Sequence, residues 1–345
     1  MNNTEYTLAF QIEIWQLVWY AIIGIIGTIG NGIVMFVILR SKKNDRKSSF
    51  NVAIFSLALA DFMVSILGLP IYYISTGSFQ KYHPIGKKGD RMCMLMTGYF
   101  LPYWFLDTSV FLLVYIAMER RNTILYYNSL KLNSSSFRTK LLTMVAIYLS
   151  AFLVQFSSAY FLVYDIKKKE FGNFCRYNLS QNKSTVLKVI IFTVDTLAPI
   201  IIISYCFYHI TRTLTKIDTL LGKSLEIQIN QEVTTDVAHD RMVRTSKTIM
   251  IIAAAFGICI LPNQLLFVLS SINNSFFAWN GVVSQIFVLM RFSNSFINPM
   301  IYCFRSKEFR KDFSSMSIFN FRMQNLTPTG CRYSDYQQLP DMTFK

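Results

Sequence analysis

Formal charge is absent from long parts of this 345-residue chain, although its net charge is +15 at pH 7. Two stretches, residues 21–39 and 141–164, contain no charged residue at all. A soluble helix presents charged and polar side chains at regular intervals on its outer face. The lack of charge therefore excludes a soluble globular protein and indicates a membrane protein.

Seven apolar runs are each long enough to cross a bilayer. A helix rises about 1.5 Å per residue and the hydrocarbon core is roughly 30 Å thick, so about 20 apolar residues span it. The runs are residues 15–39, 50–74, 93–118, 141–164, 189–210, 248–272 and 279–304. The four charged residues inside them are Asp61, Asp107, Asp195 and Arg291. The sequence predicts an all-α membrane protein, a bundle of seven transmembrane helices.

The segments outside the runs are short and polar. We expect an extracellular amino-terminal segment at 1–14, a membrane domain at 15–304, and an amphipathic helix with a cytoplasmic tail at 305–345. None of the polar stretches is long enough to form a separate domain with its own core.

Basic residues are missing from the first 39 positions and then appear together at Arg40, Lys42, Lys43, Arg46 and Lys47. The positive-inside rule places the amino terminus outside, and a first run without a basic segment before it is a retained helix rather than a cleaved signal. Residues 305–311 are also basic and agree with an inner carboxyl terminus, whereas the lysines at 167–169 fall outside against the rule. We expect a multi-pass plasma-membrane protein whose charge faces anionic lipid, not nucleic acid.

Three further absences narrow the function. His83, His209 and His239 show no metal-ligand spacing, so the sequence gives no support for an enzyme. Residues 279–304 contain no lysine, which excludes a retinal Schiff base there. The halves of the chain show no repeat, which disfavours a membrane transporter, the alternative from another class.

Two of the six cysteines, Cys93 and Cys175, fall on the outer side. In an oxidising compartment they can form a disulfide between the third run and an outer loop, and two free thiols are the alternative. Glycosylation sequons begin at Asn2, Asn178 and Asn182 on the same side, although the sequons at 133 and 325 fall inside. These residues predict a disulfide-bonded glycoprotein.

Asp61 lies near the middle of the second run, where an acidic side chain costs on the order of 3 kcal/mol in lipid and must face the bundle interior. Other mid-run polar residues are Asn31, Ser109, Asn294, Ser295 and Asn298. Such a set can enclose a small cation or a water cluster, or it can join helices by hydrogen bonds. The residues alone leave both interpretations open.

Short motifs recur in order along the runs. They are Gly30-Asn31 with Val34, Leu57-Ala58-Leu59-Ala60-Asp61, Glu119-Arg120, Pro199, Phe256 with Cys259 and Pro262, and Asn298-Pro299 with Tyr302. Together they resemble the signature of rhodopsin-like (class A) G-protein-coupled receptors, from about residue 20 to 315. The segment 306–315 is similar to the amphipathic helix that this family lays along the inner membrane surface.

The resemblance implies that a heterotrimeric G protein binds at the inner end, with arrestin and a receptor kinase as further partners. Glu119 would restrain Arg120 when the receptor is inactive, and Pro299 with Tyr302 would form a movable joint, as the Phe256–Pro262 motif would in the sixth run. No cofactor is required. The family's allosteric sodium site is matched by Asp61, Ser109, Asn294, Ser295 and Asn298, where sodium would favour the inactive state.

Several positions depart from the family pattern. Arg121 and Phe207 each replace a usual tyrosine, and Ile260 replaces a tryptophan. Cys93 also lies two residues farther from Glu119-Arg120 than the pattern expects. The alignment of the outer part of the third run is therefore open.

The ligand is the least determined part of the prediction. The aspartate by which amine receptors hold an ammonium group is absent, since the corresponding residue is Pro102 or Phe100. The sequences of the second and seventh runs nevertheless resemble those of histamine-type amine receptors, which also have an acidic residue in the fifth run, as Asp195 is here. We expect an extracellular small molecule such as a biogenic amine, with a peptide or other non-amine ligand as the alternative.

Four residues form the predicted ligand site. Asp195 would take a cationic or donor group, and Arg291 a carboxylate or phosphate. Asn263 and Gln264 complete the set, at positions of the sixth run that are aromatic in the amine receptors it resembles. The alternative is that Asp195 and Arg291 neutralise each other. Asp107 lies deeper and is assigned to packing between helices.

Overall fold

The computed structural model describes residues 14–40, 47–75, 82–125, 136–165, 175–224, 233–272 and 282–305. The predicted amphipathic helix at 306–315, the tail after it and residues 1–13 of the amino-terminal segment lie outside the described residues. Six helices in the described part are long and apolar enough to cross a membrane, and a more polar helix completes the predicted bundle of seven.

The spans follow one another in chain order. Five spans are single helices: α1 (Ile14–Arg40), α2 (Ser49–Ile74), α5 (Phe137–Ala159), α8 (Val233–Ile272) and α9 (Val282–Arg305). The third span consists of α3 (Lys87–Met92), a π-helical turn (Cys93–Thr97) and α4 (Phe100–Leu125). The fifth span consists of α6 (Gln181–Phe192), a second π-helical turn (Thr193–Leu197) and α7 (Ala198–Ser224). Between the fourth and fifth spans, β1 (Leu162–Tyr164) pairs antiparallel with β2 (Cys175–Tyr177).

Serine side chains fix where two spans begin. Ser48 accepts a hydrogen bond from the Asn51 amide at 3.1 Å at the start of α2, and Ser136 accepts one from Thr139 at 3.2 Å at the start of α5. Each serine satisfies one of the amides that a helix start leaves without a partner. The entry of α2 into the membrane is therefore set within one turn.

The first motif of the chain packs α1 against α9. A Cβ atom on Gly30 would lie 2.9 Å from the Pro299 ring, so only glycine allows this approach. The neighbouring Asn31 donates to the carbonyl oxygen of Ser295 at 2.8 Å. Asn31 therefore joins helices, which was one of the two interpretations of the polar set.

The third span is interrupted near its amino-terminal end. After the π-helical turn, Gly98 donates to the Cys93 carbonyl at 2.9 Å, and Tyr99 adopts a left-handed backbone with φ of 63° before α4 begins at Phe100. These distortions take up the extra residues between Cys93 and Arg120. The open alignment of this span is thus explained by a local change of helix type.

The hairpin is tied to this interruption. Cys93 and Cys175 form a disulfide with their Cα atoms 5.5 Å apart, which confirms the predicted bond. Leu162 and Tyr177 of the hairpin pack around it in a buried cluster, and the Tyr164 amide donates to Asp90 at 2.9 Å. The hairpin is held against the third span at three points.

Candidate functional site

A cavity of about 50 Å³ lies beneath the hairpin, with Gly98, Leu162 and Tyr177 among its lining residues. This volume holds a few water molecules or one small chemical group, since a single water needs about 10–15 Å³ on this measure. Its polar lining is Tyr103, Gln155, Ser158, Tyr177, Asn263, Gln264 and Arg291. Three of the four predicted ligand residues, Asn263, Gln264 and Arg291, are therefore brought together.

Arg291 is buried and surrounded by partners. Its Nη2 atom lies 2.8 Å from the carboxylate of Asp107, and its guanidinium group lies 4.4 Å from the centre of the Tyr103 ring. The amide of Gln264 satisfies the same group when its oxygen faces Arg291, at 3.0 and 3.3 Å. The guanidinium group is thus held by an anion, a ring and an amide.

The assignment of Asp107 to helix packing was wrong, because it is the direct counter-ion of Arg291. The alternative, in which Asp195 and Arg291 neutralise each other directly, is also not what the structure shows. The prediction compared backbone depths, whereas the long arginine side chain reaches well away from its own Cα. Asp107 therefore belongs to the charged part of the site.

Gln155 of α5 connects the two carboxylates and was missed by the sequence analysis. Its amide nitrogen donates to Asp107 and lies 3.4 Å from Oδ2 of Asp195. Asp195 is 1% exposed and reaches the cavity through Gln155, because Gln155 lines the cavity and Asp195 does not. A lone glutamine in an apolar run without charges was the signal that could have identified it.

The cluster contains two acidic groups and one basic group, so it carries excess negative charge when both carboxyls are ionised. The two carboxylates Asp107 and Asp195 face one guanidinium group, and Oδ1 of Asp195 has no hydrogen-bond partner among the described residues. Another buried cation, Lys188, has its ammonium group over the Tyr177 and Phe267 rings at 5.7 and 5.4 Å. A buried excess charge is costly unless a proton or a cation compensates it.

Asp61 forms a second polar centre between α2, α4 and α9. It accepts hydrogen bonds from Ser109 at 2.7 Å and from Asn298 at 2.8 Å, and all three residues are buried. Asn294 and Ser295 are also fully buried, and within the described part of the chain their side-chain oxygens lack partners. Oxygen donors with unused capacity around one carboxylate fit a small hard cation such as sodium.

The opposite end of the third span carries two arginines in different surroundings. Arg120 lies 3.4 Å from Glu119, and its guanidinium group lies 3.5 Å from the centre of the Phe50 ring of α2. Arg121 instead lies over Tyr205 of α7 at 5.3 Å. The unusual arginine of the third-span motif therefore has an aromatic partner of its own.

The remaining predicted activation residues lie on α8 and α9. Phe256 is 1% exposed, Pro262 is half-buried inside α8, and Pro299 is buried inside α9. Tyr302 is 9% exposed, and its hydroxyl has no hydrogen-bond partner in the region that the structure covers. Both prolines interrupt the hydrogen bonding of their helices, as the movable joints require.

Comparison with known proteins gives a consistent result. The model of the 7 transmembrane receptor (rhodopsin family) matches residues 30–302. Galanin receptor 2b of Danio rerio is 27% identical over 306 residues, covering 86% of this chain and 73% of the relative. The QRFP-like peptide receptor of Branchiostoma floridae is 24% identical over 322 residues, covering 90% and 79%. The crystal structure of squid rhodopsin has the same fold, with a TM-score of 0.72 and 19% identity over 97% of this chain and 98% of that chain.

Proposed function

This chain belongs to the rhodopsin family of seven-transmembrane receptors, and we propose that it binds an extracellular peptide and activates a heterotrimeric G protein. Receptors of this family are not enzymes. The relatives support a peptide ligand, since one is named for galanin and another for a QRFP-like peptide. Asp195 and Arg291 then bind one end of a larger ligand rather than a whole small molecule.

One observation carries the proposal, namely the charged cluster beneath the cavity. Asp107 on α4, Gln155 on α5, Asp195 in the fifth-span π-helical turn and Arg291 on α9 are linked by hydrogen bonds and one ion pair. A ligand group that binds any one of them changes the forces on four spans at once. Because such a network favours particular arrangements of its members, binding shifts the balance between arrangements of the bundle.

The size of the cavity also favours a peptide. A space of about 50 Å³ admits the end of one side chain, with the rest of the ligand on the hairpin above. When both carboxyls are ionised, the excess negative charge of the cluster favours a basic group, either a guanidinium or an ammonium. We therefore expect a peptide that inserts one basic side chain or its amino terminus.

A small biogenic amine is the second candidate, and the same excess charge supports it. Phe100, which lines the cavity, and Pro102 provide no carboxylate where amine receptors have one. Asp195 is then the remaining anion that an ammonium group can reach, through displacement of Gln155. A peptide is preferred because the relatives support it independently.

The remaining parts of the receptor follow the same scheme. The amino terminus faces outward, and Asn178 and Asn182 are exposed on that side, as glycosylation requires. Sodium binds at Asp61 with Ser109, Asn294, Ser295 and Asn298, and Glu119-Arg120 with Tyr302 face the G protein. Arrestin and a receptor kinase act on the tail, at serines and threonines beyond residue 313.

A ligand screen tests this proposal. G-protein activation is measured in transfected cells against libraries of peptides and of amines, and the first agonist is then tested on Asp195→Asn and Asn263→Ala. Both variants should lower its potency at least tenfold, whereas Thr193→Val should not, because Thr193 is exposed in the same π-helical turn. An agonist whose potency is unchanged in both Asp195→Asn and Asn263→Ala would show that the ligand binds elsewhere.

A further inference from the structure

Phe50 makes the closest aromatic contact with a cation in the described part of the chain. The centre of its ring lies 3.5 Å from the Arg120 guanidinium carbon, against 5.3 Å for Arg121 over Tyr205. Phe50 is half-buried in the first turn of α2, so the contact is partly shielded from water. Shielding strengthens the attraction between a cation and a ring face.

The local sequence holds the Phe50 ring in place. Ser48 caps α2 through the Asn51 amide at 3.1 Å, and Ser49 shares a hydrogen bond with Tyr115 of α4. Tyr115 lies one helical turn before Glu119, so the start of α2 is fastened to the face of α4 that carries Glu119, the sequence neighbour of Arg120. Phe50 lies between these two attachments and has little freedom to move away.

The ring restrains Arg120 more strongly than the acid beside it does. Its ion pair with Glu119 joins sequence neighbours at 3.4 Å and is partly exposed, with side-chain exposures of 14% and 20%. Such pairs change an equilibrium by up to about fivefold. A partly desolvated contact between a guanidinium group and a ring changes it by roughly 2- to 30-fold.

We propose that Phe50 is a positioning residue that holds Arg120 away from the G protein until the receptor is activated. The proposal rests on the proposed function only in assigning Arg120 to G-protein binding. The acid beside Arg120 then supplies a minor part of the restraint. Loss of the aromatic ring releases Arg120 and raises signalling without a ligand.

The test uses substitutions that separate the charge of the ring face from its shape. Mono-, di- and trifluorophenylalanine at position 50 weaken the ring face stepwise at nearly constant volume. Phe50→Leu removes the ring, and Phe50→Tyr retains it. Phe137→Leu is the matched control, since Phe137 lies on the same side of the bundle under Lys47 at 5.7 Å and does not contact Arg120.

Two readouts are taken on each protein in lipid nanodiscs, both without ligand. The first is binding of engineered Gα domains from all the major classes. The second is the distance distribution between spin labels on Arg40→Cys at the end of α1 and Lys247→Cys within α8, both exposed, in a background with Cys303→Ser and Cys331→Ser. The second readout needs no G protein.

Fluorination should raise the fraction of receptor molecules in the active-like arrangement stepwise. Phe50→Leu should raise this fraction by 2- to 30-fold, whereas Phe50→Tyr and Phe137→Leu should leave it unchanged. Equal distance distributions across the fluorinated series would overturn the proposal, even if Phe50→Leu misfolds. A shifted distribution without binding to any Gα domain would retain the role of Phe50 and refute the proposed function instead.

Discussion

Arg291 is the basic group of a cluster with two carboxyls, so its loss should cost far more stability than the loss of Asp195. Arg291→Gln leaves Asp107 and Asp195 buried with no cation beside them, and an uncompensated buried charge costs about 3–5 kcal/mol. Asp195→Asn leaves one carboxylate and one guanidinium group, so its effect should lie within about 1 kcal/mol of zero. At a few degrees per kcal/mol, Arg291→Gln should lower the melting temperature by on the order of 10 °C.

Thermal unfolding in nanodiscs measures this difference directly. Cys206 and Cys259 are free and buried, so a thiol-reactive fluorophore reports their exposure as the bundle opens. The double variant Arg291→Gln with Asp195→Asn should recover part of the loss, because only one buried carboxylate then remains. If Asp195→Asn alone destabilises the protein as much as Arg291→Gln, the argument from charge balance is refuted.

Three other predictions concern separate parts of the bundle. Sodium chloride, exchanged against choline chloride at constant ionic strength, should raise the melting temperature of the wild type but not of Asp61→Asn, and an equal rise in both would exclude the ion site. Gly98→Ala should destabilise by about 1–3 kcal/mol, since its methyl group would overlap the Cys93 carbonyl and Leu162, whereas Gly257→Ala meets no atom within 4 Å and should be neutral or stabilising. Burial lowers the pKa of His83, which precedes α3, so the unfolded state binds a proton at His83 more readily than the folded state does. The free energy of unfolding should therefore fall as pH drops below about 6.5. His83→Gln should lessen that pH dependence, and an unchanged dependence in the variant would contradict the prediction.

The sequence was sufficient where a single physical requirement decides the outcome. The need for about 20 apolar residues gave the spans, with α2 at Ser49–Ile74 against the predicted 50–74. The outer location of Cys93 and Cys175 gave the disulfide. The cost of burying Asp61 correctly predicted that it faces the interior, where it meets Ser109 and Asn298.

The sequence was insufficient where several side chains compete for one partner. Helix spacing gives the depth of a Cα atom, but the choice of Arg291 between Asp107 and Asp195 depends on side-chain length and on Gln155. The ring of Phe50 and the guanidinium group of Arg120 are 70 positions apart and share no motif. Such pairs are decided by the packing of whole helices, which a pattern along one chain does not contain.

The π-helical turn at Cys93–Thr97 has a practical consequence for chimeric receptors. Two residues added to a regular helix would rotate every later side chain by about 200° about the axis. Here the surplus is confined to the short stretch before Phe100, so cytoplasmic portions of the third span can be exchanged with those of relatives in register. A chimera whose exchange point lies within or before this stretch must also include the donor's hairpin and disulfide, because otherwise the exchanged helix will pack against its neighbours with the wrong face.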